Sequence, residues 1–250
     1  MSDRILAGPP GECCRQTVHH DGTPRGSLEN IAGVNTYIAR AATGDRERII
    51  LFFSDVYGAL YKNSQLVMDY WAENGYLVLG LDYFEGDSKA LLNLDDETFD
   101  YPGWIKAKQA RADALLPPWI HAVRERYGTS KKYVCVGYCF GAPYVMDHLK
   151  TDWIIAGAFG HPAFLNEDHF RGIKRPLLMS CAEVDHTFPL GSRRRAEDLL
   201  VEQKATYYIQ VFSSVKHGFA LRGDPNVPAE RWGKEESARA ILDWFDHFCA

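Results

Sequence analysis

From residue 49 onward, short apolar runs alternate with longer stretches in which apolar residues recur at helical spacing. The short runs are rich in β-branched and aromatic residues, as buried strands are, and lie at residues 49–53, 77–81, 133–136, 153–159, 177–181 and 207–212. Strands separated by helices in this way pair in parallel, and the helices cover the sheet. The pattern therefore predicts an α/β fold with a mostly parallel central sheet and helices on both faces.

The longest predicted helix contains two consecutive prolines. It extends over residues 105–126 and includes Pro117-Pro118. Because proline removes a helical hydrogen bond and clashes with the preceding turn, we expect the helix to break or kink there.

Two segments are less regular than the rest. Residues 1–48 are expected to form an irregular arm over the sheet, with an edge strand at residues 33–39. Residues 86–104 are polar and acidic but carry bulky aromatic residues, so they form either a lid or a surface excursion that the aromatics anchor. No repeat or low-complexity linker divides the chain, and residues 1–250 are predicted to form one domain.

The charge balance excludes several classes of partner. The 250 residues include 28 Lys and Arg against 33 Asp and Glu, a net charge of −5. Nonspecific binding to nucleic acid needs a larger basic surface. The apolar runs are shorter than the roughly 18 residues that span a bilayer, and the first six residues lack the apolar stretch of a secretory signal. We expect a cytoplasmic monomer or dimer that binds a small molecule and neither nucleic acid nor a membrane.

Six cysteines in a chain without an export signal indicate free thiols. Cys13 and Cys14 are adjacent, so they lack the spacing of a zinc or redox pair, and we interpret them as structural. Cys135 and Cys181 end apolar runs and are expected in buried strands. No metal and no other cofactor is predicted. Cys139 differs from these residues in its sequence context.

Residues 137–141 read Gly-Tyr-Cys-Phe-Gly, directly after a predicted strand and before a predicted helix. This is the context of a nucleophile elbow, in which the central residue occupies a strained turn and the flanking glycines let strand and helix approach. At the N-terminus of a helix, the helix dipole favours the thiolate form of cysteine. The pattern therefore makes Cys139 the candidate nucleophile.

Two later strands are followed by the acid and the base that such a nucleophile needs. One leads to Glu183 and Asp185, and the next leads to His217. Enzymes with a nucleophile elbow carry nucleophile, acid and base in this chain order. We assign Asp185 as the acid, because Glu183 lies nearer the strand, and His217 as the base.

Each of these residues also has an ordinary structural explanation. A buried cysteine is commonly a small hydrophobe, and a loop aspartate is commonly a turn former. His161 and His186 are rival bases, but neither follows the last predicted strand, so the chain order favours His217.

An acyl-transfer site also needs two backbone N–H groups that stabilise the oxyanion. One is expected from Phe140, the residue after the nucleophile, and the other from the loop after residues 49–53, where we choose Val56. Asp55 stands at the end of the same strand. It either orients the thiol and helps to deprotonate it, or caps the following helix.

These motifs resemble the dienelactone hydrolase family, and in particular its fungal branch. The similarity covers nearly the whole chain and rests on residues 13–14 with 20–24, 54–58, 82–87, 137–142, Asp185 with Phe188-Pro189, and 217–220. The Gly-Tyr-Cys-Phe-Gly and His-Gly-Phe motifs are the specific ones. The resemblance implies an α/β-hydrolase fold without a large cap domain, a triad of Cys139, His217 and Asp185, and hydrolysis of an enol lactone to an open-chain acid.

The sequence departs from the bacterial members of that family in two ways. They have glutamate where this chain has the shorter Asp55. They also place arginines for a substrate carboxylate at two positions, where this chain has Glu85-Gly86 and Leu221, with Arg222 one residue later. The resemblance therefore does not imply a dicarboxylate-like muconolactone substrate.

Thiolate chemistry limits the class of substrate. Because a thiolate is itself a good leaving group, the tetrahedral intermediate proceeds to product only when the departing group is comparably good. Enolates, phenolates and thiols qualify, so activated lactones, aryl esters and thioesters are favoured over peptides and triglycerides. We assign contacts with a hydrophobic, polyketide-type substrate to a largely aromatic set that otherwise belongs to the core: Tyr57, Tyr83, Phe84, Tyr138, Phe219 and Arg222.

Three other functions remain open. The same scaffold supports a non-hydrolytic cyclase, lyase or product-release enzyme of secondary metabolism, in which the Cys–His pair handles protons or an acyl group. It also supports a non-catalytic binding or regulatory protein, which the intact predicted triad argues against. A redox sensor that pairs Cys139 with Cys135 is disfavoured, because a disulfide there would distort the turn.

Overall fold

The computed structural model of the protein describes residues 3–11, 17–40, 47–89 and 99–250. Within them the strands are β1 (Ile5–Ala7), β2 (Ser27–Ile31), β3 (Val34–Ala39), β4 (Arg48–Phe53), β5 (Leu77–Leu81), β6 (Lys132–Tyr138), β7 (Ile154–Gly160), β8 (Leu165–Asn166), β9 (Leu177–Val184) and β10 (Tyr207–Lys216). The helices are α1 (Lys62–Glu73), α2 (Tyr101–Tyr127), α3 (Ala142–His148), α4 (Glu167–Phe170), α5 (Leu190–Glu202), α6 (Phe219–Arg222) and α7 (Pro228–Cys249). A 3₁₀ turn, Cys139–Gly141, joins β6 to α3.

The central sheet has the strand order β10-β9-β7-β6-β4-β5-β3-β2. The pairs from β10 to β5 are parallel, and β3 and β2 continue the sheet in antiparallel pairing. β1 pairs with β8 outside this sheet. The arrangement confirms the predicted, mostly parallel sheet.

The six strands predicted from apolar runs are all present, and several extend beyond those runs. β5 coincides with its predicted residues 77–81, whereas β9 continues to Val184 and β10 to Lys216. The added residues include polar and exposed side chains such as Glu183, which an apolar count misses. Both strands therefore end directly before the predicted acid and base.

The expectation of an edge strand at residues 33–39 is wrong. Residues 34–39 form β3, which is second from the edge, and β2 is the outermost strand. β2 buries only Ile31, while its Leu28 is 58% exposed. An edge strand that is largely solvated has no apolar run by which a sequence pattern can detect it.

Alternation along β4 divides the core between the two faces of the sheet. Ile49, Leu51 and Phe53 pack on the side of α2, α3 and α5, whereas Ile50 and Phe52 pack on the side of α1, α6 and α7. All five side chains are fully buried, and each such burial contributes roughly 1.5–3 kcal/mol. A strand that is apolar on both faces is stable only when helices cover both, which confirms that prediction.

The long helix continues through its two prolines. α2 is continuous from Tyr101 to Tyr127, so of the two expected outcomes the break at Pro117-Pro118 does not occur, and the kink stays a prediction. The prolines lie on the exposed face, where water can bond the carbonyl groups that they leave without a partner. The neighbouring Leu116 and Trp119 are buried against the sheet, and this packing keeps the helix in place.

The direction in which strands are added to the sheet reverses beside β4. From β4 the chain passes to β5 on one side and then, through α2, to β6 on the other side. The loops after β4 and β6 therefore diverge at the carboxyl edge of the sheet, and open α/β sheets bind their ligands at such a point. The Asp55 loop and Cys139 both lie there.

Two predicted features lie partly or wholly outside the described residues. Cys13 and Cys14 lie outside them, as do residues 90–98 of the proposed lid. Residues 101–104 of that segment form the first turn of α2. A lid therefore stays a prediction. Of the helices described, none is both long and apolar enough to cross a membrane.

Candidate active site

A sharp turn at the carboxyl end of β6 presents Cys139. Its backbone is left-handed, with a φ of 48°, and it follows the last residue of β6 as the first residue of the 3₁₀ turn that leads into α3. A non-glycine residue keeps this conformation only where the surrounding structure imposes it. The geometry is that of the strained turn expected from the sequence.

Two glycines let three elements approach one another around this turn. A Cβ atom on Gly137 would overlap the carbonyl oxygen of Gly141, and a Cβ atom on Gly141 would overlap the carbonyl oxygen of Phe53. Any larger residue at either position would separate β6 from α3 or α3 from β4. Close packing, which also holds the β4 loop beside Cys139, thus explains both glycines.

The predicted acid and base meet where β9 and β10 end. Nδ1 of His217 lies 2.9 Å from Oδ1 and 3.1 Å from Oδ2 of Asp185. The backbone N–H of His217 donates to the carbonyl oxygen of Val184 at 3.1 Å, which fixes the two loops to each other. The two side chains are only 1% and 2% exposed. The imidazole is thereby held in one orientation.

The surroundings of Asp185 favour its charged form. Burial by itself raises the pKa of this carboxyl, but the charge of His217 and hydrogen bonds from His217 and Thr187 outweigh burial and hold the pKa below its ordinary value of 3.8. The N–H groups of Thr187 and Phe188 also donate to Oδ1, at 2.9 and 3.2 Å. A carboxylate at Nδ1 selects the tautomer whose lone pair is on Nε2, the nitrogen that can accept a proton.

The segment after β7 connects Cys139 with this pair. The N–H of Ala163 donates to the carbonyl oxygen of Cys139 at 3.0 Å. The Thr187 hydroxyl lies 2.7 Å from the carbonyl oxygen of Pro162 and 2.6 Å from Oδ1 of Asp185. These bonds join the elbow, the segment and the acid loop, so the structure brings the three predicted residues to the same edge of the sheet.

The two rival bases flank the ring of His217. His161 is fully buried, and its ring centroid lies 4.9 Å from that of His217. His186 is exposed, and its ring centroid lies 5.4 Å away. His217 is the histidine that hydrogen-bonds to Asp185, as the chain order predicts.

The loop after β4 holds the second predicted oxyanion donor. Asp55 engages the N–H groups of the two residues after Val56: its Oδ1 accepts from Tyr57 at 2.9 Å, and its carbonyl oxygen accepts from Gly58 at 3.0 Å. The carbonyl oxygen of Val56 accepts from the N–H of Lys89 at 2.8 Å. The roles of the Val56 and Phe140 N–H groups stay predictions.

Asp55 forms a buried ion pair with Arg222. Nε of Arg222 lies 3.2 Å from Oδ2 of Asp55, and the side chains are 3% and 1% exposed. The guanidinium also lies over the ring of Tyr57, 4.7 Å from its centroid. α1 begins at Lys62 and its N-cap residue is Tyr61, so the alternative that Asp55 caps this helix is wrong. A contribution of Asp55 to thiol activation stays a prediction.

The aromatic residues predicted to contact substrate fall into two groups. Tyr83 and Phe84 pack against Phe140 beside the elbow, with ring centroids 5.2 and 5.1 Å apart. Tyr138 and Phe219 are buried in the core on the opposite face of the sheet. Phe140 lies beyond the turn at Cys139, where the chain leaves β6 for α3, and this turn separates it from Tyr138. We interpret Tyr138 and Phe219 as core residues.

The chain matches known proteins over almost all of its length. Residues 34–249 match the sequence model of the "Dienelactone hydrolase family". The chain belongs to the dienelactone hydrolase family. It is 36% identical to "Dienlactone hydrolase 1" of Gibberella moniliformis, with 100% of this chain and 98% of that protein aligned. It is 34% identical to "Dienlactone hydrolase 2" of the same fungus, with 98% and 97% aligned.

A solved structure of a similar protein extends the comparison from the sequence to the fold. The putative dienelactone hydrolase of Klebsiella pneumoniae superimposes with a TM-score of 0.69 at 17% identity, covering 85% of this chain and 92% of that one. The fold is therefore the α/β-hydrolase fold, as predicted, and no large cap domain is inserted among the described residues. Membership of the family makes the protein a hydrolase.

The six cysteines of the hydrolase include four in the described residues, and none of these four forms a disulfide. Burial raises the pKa of Cys135, and it raises that of Cys181 to about 12. Only the thiolate is nucleophilic, so these two residues are inert near neutral pH. Their burial in strands confirms the expectation from the apolar pattern.

A cavity of about 480 Å³ lies between α1, α6 and α7 of the hydrolase. Its walls include His20, Leu221 and Lys234 but not Cys139, Asp185 or His217. The cavity is therefore not the place where the three predicted catalytic residues meet.

Sequence analysis missed Thr187 as a partner of the site. The signal that can find it is the spacing Asp185-His186-Thr187, since an aspartate in a turn accepts a hydrogen bond from the residue two positions later. The spacing predicts the backbone bond that is observed, but not the contacts of the hydroxyl.

Asp55→Ala is expected to lower the free energy of unfolding by about 3–5 kcal/mol, because it removes the carboxylate that pairs with the buried guanidinium of Arg222. Urea unfolding measures the loss, and adding Arg222→Met should recover much of it. As a control, Glu85→Ala removes an exposed pair with Arg111 and should cost less than about 1 kcal/mol. A loss for Asp55→Ala no larger than the control's would contradict the buried pair.

Proposed function

We propose that this hydrolase cleaves an activated carboxylic ester, that is, an enol lactone, an aryl ester or a thioester, through a triad of Cys139, His217 and Asp185. The observation that carries the proposal is the buried hydrogen bond between His217 and Asp185, joined through the Pro162 segment to the strained turn of Cys139. An imidazole oriented by a carboxylate is the base that activates such a nucleophile.

In the first half-reaction, Nε2 of His217 takes the proton of the Cys139 thiol, and the thiolate attacks the carbonyl carbon. The sulfur–carbon bond forms as the carbonyl π bond becomes an oxyanion. When the oxyanion collapses, the bond to the leaving atom breaks and His217 gives its proton to the departing group. Asp185 stabilises the imidazolium between these two transfers.

The backbone N–H groups of Phe140 and Val56 stabilise the oxyanion in this proposal. Phe140 follows the nucleophile in the 3₁₀ turn that leads into α3. Val56 is supported by the geometry of its own turn, where Asp55 already accepts from the N–H groups of Tyr57 and Gly58.

In the second half-reaction, His217 removes a proton from water, and the water oxygen attacks the thioester carbonyl. The carbon–sulfur bond then breaks, and the thiolate recovers the proton from His217. The products of the cycle are the free carboxylic acid, the leaving group and the regenerated thiol.

Two properties of the site support a hydrophobic, activated substrate. The thiolate requires a comparably good leaving group, such as an enolate, a phenolate or a thiol. Arg222 is neutralised by Asp55, and Glu85 is neutralised by Arg111 through two hydrogen bonds of 2.7 Å. Tyr57, Tyr83 and Phe84 then supply aromatic contacts, and the substrate needs no second carboxylate to pair with Arg222.

The test is a series of esters with one acyl group and leaving groups of increasing basicity: para-nitrophenolate, a thiolate, phenolate and ethoxide. We expect kcat/KM for the ethyl ester to be at least about a hundredfold below that of the nitrophenyl ester. Mass spectrometry should detect the acyl group on Cys139, and heavy-oxygen water should label the acid. An ethyl ester cleaved as fast as the nitrophenyl ester would contradict the proposal.

The same measurements separate hydrolysis from its rivals. An acyl adduct on Cys139 without label in the product indicates cyclisation or product release, and turnover without an adduct indicates proton chemistry. Binding without turnover indicates a regulatory protein. The cytoplasmic location, the monomeric or dimeric state and the single-domain organisation stay predictions.

A further inference from the structure

The hydroxyl of Thr187 touches three parts of the proposed site. Its Oγ1 lies 2.6 Å from Oδ1 of Asp185, 3.0 Å from Nδ1 of His217 and 2.7 Å from the carbonyl oxygen of Pro162. Thr187 is 2% exposed, so water does not compete for these contacts, and a buried network of this kind is stronger than the same contacts in water.

The chemistry of a hydroxyl fits these three neighbours. A hydroxyl has one proton and two lone pairs. The 2.6 Å contact with Asp185 is typical of an O–H group donating to a carboxylate, and the Pro162 carbonyl is a second acceptor for the same proton. The lone pairs face Nδ1–H of His217, which is shared between the carboxylate and the hydroxyl. Thr187 therefore bonds to both members of the acid–base pair.

Pro162 belongs to a segment that is anchored to the nucleophile. The N–H of Ala163 donates to the carbonyl oxygen of Cys139, and the N–H of His161 donates to the carbonyl oxygen of Ser180 in β9, each at 3.0 Å. His161 is fully buried and has a left-handed backbone, with a φ of 35°. Hydrogen bonds on both sides of Pro162 hold the segment in this strained form.

We propose that Thr187 is a positioning residue whose hydroxyl holds the Asp185–His217 pair at the distance from Cys139 that proton transfer requires. The connection passes from Thr187 to Pro162 and, through Ala163, to the backbone of Cys139. The inference rests on the proposed triad. Because Thr187 contacts neither the thiol nor the substrate in this scheme, loss of its hydroxyl slows the chemical step and leaves substrate binding unchanged.

A purely structural role for Thr187 leads to a different expectation. Its backbone N–H, which donates to Oδ1 of Asp185 at 2.9 Å, persists in any variant except proline, so the acid loop keeps its turn. If the hydroxyl only helped folding, its removal would lower the melting temperature without a separate effect on kcat. A folded variant with lower kcat and unchanged KM therefore distinguishes the positioning role from a purely structural one.

The test compares Thr187→Val, which keeps the shape and removes the hydroxyl, with Thr187→Ser, which keeps the hydroxyl. With the nitrophenyl ester, we expect the valine variant to lose about 10- to 100-fold in kcat with KM within about threefold, and the serine variant to stay within about threefold of wild type in both. In nuclear magnetic resonance spectra, the Nδ1 proton signal of His217 should weaken or move in the valine variant only.

Two further variants secure the comparison. Thr187→Ala is a second variant without the hydroxyl and replaces the valine variant if that one does not fold. Thr151→Val removes a hydroxyl that bonds to the carbonyl oxygen of His148 at the end of α3, and it should leave kcat unchanged. Thermal unfolding of all four variants confirms that native protein is compared.

Two outcomes overturn the inference: a folded hydroxyl-free variant with kcat within about twofold of wild type, or a serine variant that loses as much as valine. Cys139→Ala, assayed in parallel, shows whether the proposed function fails as well. If Cys139→Ala is inactive, the triad stands and only the role of Thr187 is lost. If Cys139→Ala is active, both proposals are lost.

Discussion

Cys139→Ala is expected to lower kcat for the nitrophenyl ester by a factor on the order of 10⁴ to 10⁶. Without the sulfur no thioester forms, and catalysis falls to what the oxyanion N–H groups and substrate binding supply. Initial rates measure the loss, and intact masses taken on the same samples should show an acyl adduct on the wild type and none on the variant.

Alanine is a suitable probe because the fold accommodates it. Cys139 is fully buried in a small space, and its left-handed backbone strains alanine no more than cysteine. Cys135→Ala is the matched control, since it removes another fully buried thiol, which lies in β6 four residues earlier in the chain. We expect the control to keep wild-type kcat.

Cys139→Ser extends the same experiment. It keeps the shape of the side chain, but a hydroxyl is a far weaker acid than a thiol, so His217 must remove a less acidic proton. We expect acylation to slow and to become rate-limiting. Turnover of Cys139→Ala within about tenfold of wild type would contradict the thioester and leave His217 with proton chemistry alone.

The central part of the fold is predictable because strands that are buried on both faces consist of continuous apolar runs. β4 and β5 have few polar positions, and helices with one apolar face lie between such strands. The outer strand β2 has no such apolar run. Its local sequence signal for a hairpin is Gly33, because two-residue hairpin turns favour glycine. In the structure both Ala32 and Gly33 have positive φ.

Tertiary packing accounts for the other differences. Pro117-Pro118 ends or bends an isolated helix, yet Leu116 and Trp119 are buried beside them and α2 stays continuous. A propensity is a local quantity, whereas the contacts that outweigh it come from strands distant in the chain. No window of the sequence contains both.

In the site, too, some features are predictable from the sequence and others depend on tertiary contacts. The order of Cys139, Asp185 and His217 is readable because each residue follows a strand that can be recognised, and parallel strands end at one edge. The partners of these residues come from contacts between loops. The pairing of Asp55 with Arg222, which lie far apart in the sequence, leaves no pattern that spacing alone reveals.

Asp185→Asn is expected to lower kcat about 10⁴-fold at neutral pH while the turn around it stays folded. The asparagine oxygen still accepts from the N–H groups of Thr187 and Phe188, but the amide NH₂ now donates towards Nδ1 of His217. The imidazole then carries its proton on Nε2 and cannot take the proton of Cys139. Kinetics with the nitrophenyl ester measure the loss.

The same substitution should change how stability depends on pH. Because folding lowers the pKa of Asp185 from 3.8, the carboxylate contributes stability that is present above this value and is lost as pH falls through the lower folded value. Asp185→Asn should therefore unfold at lower urea concentration than wild type at neutral pH, and the gap should narrow as pH falls below 3.8. Glu183→Gln, which changes an exposed carboxylate two residues earlier, should match wild type in both measurements. If the gap does not narrow at acid pH, or if the asparagine variant keeps kcat within about tenfold, Asp185 is not the acid of the triad.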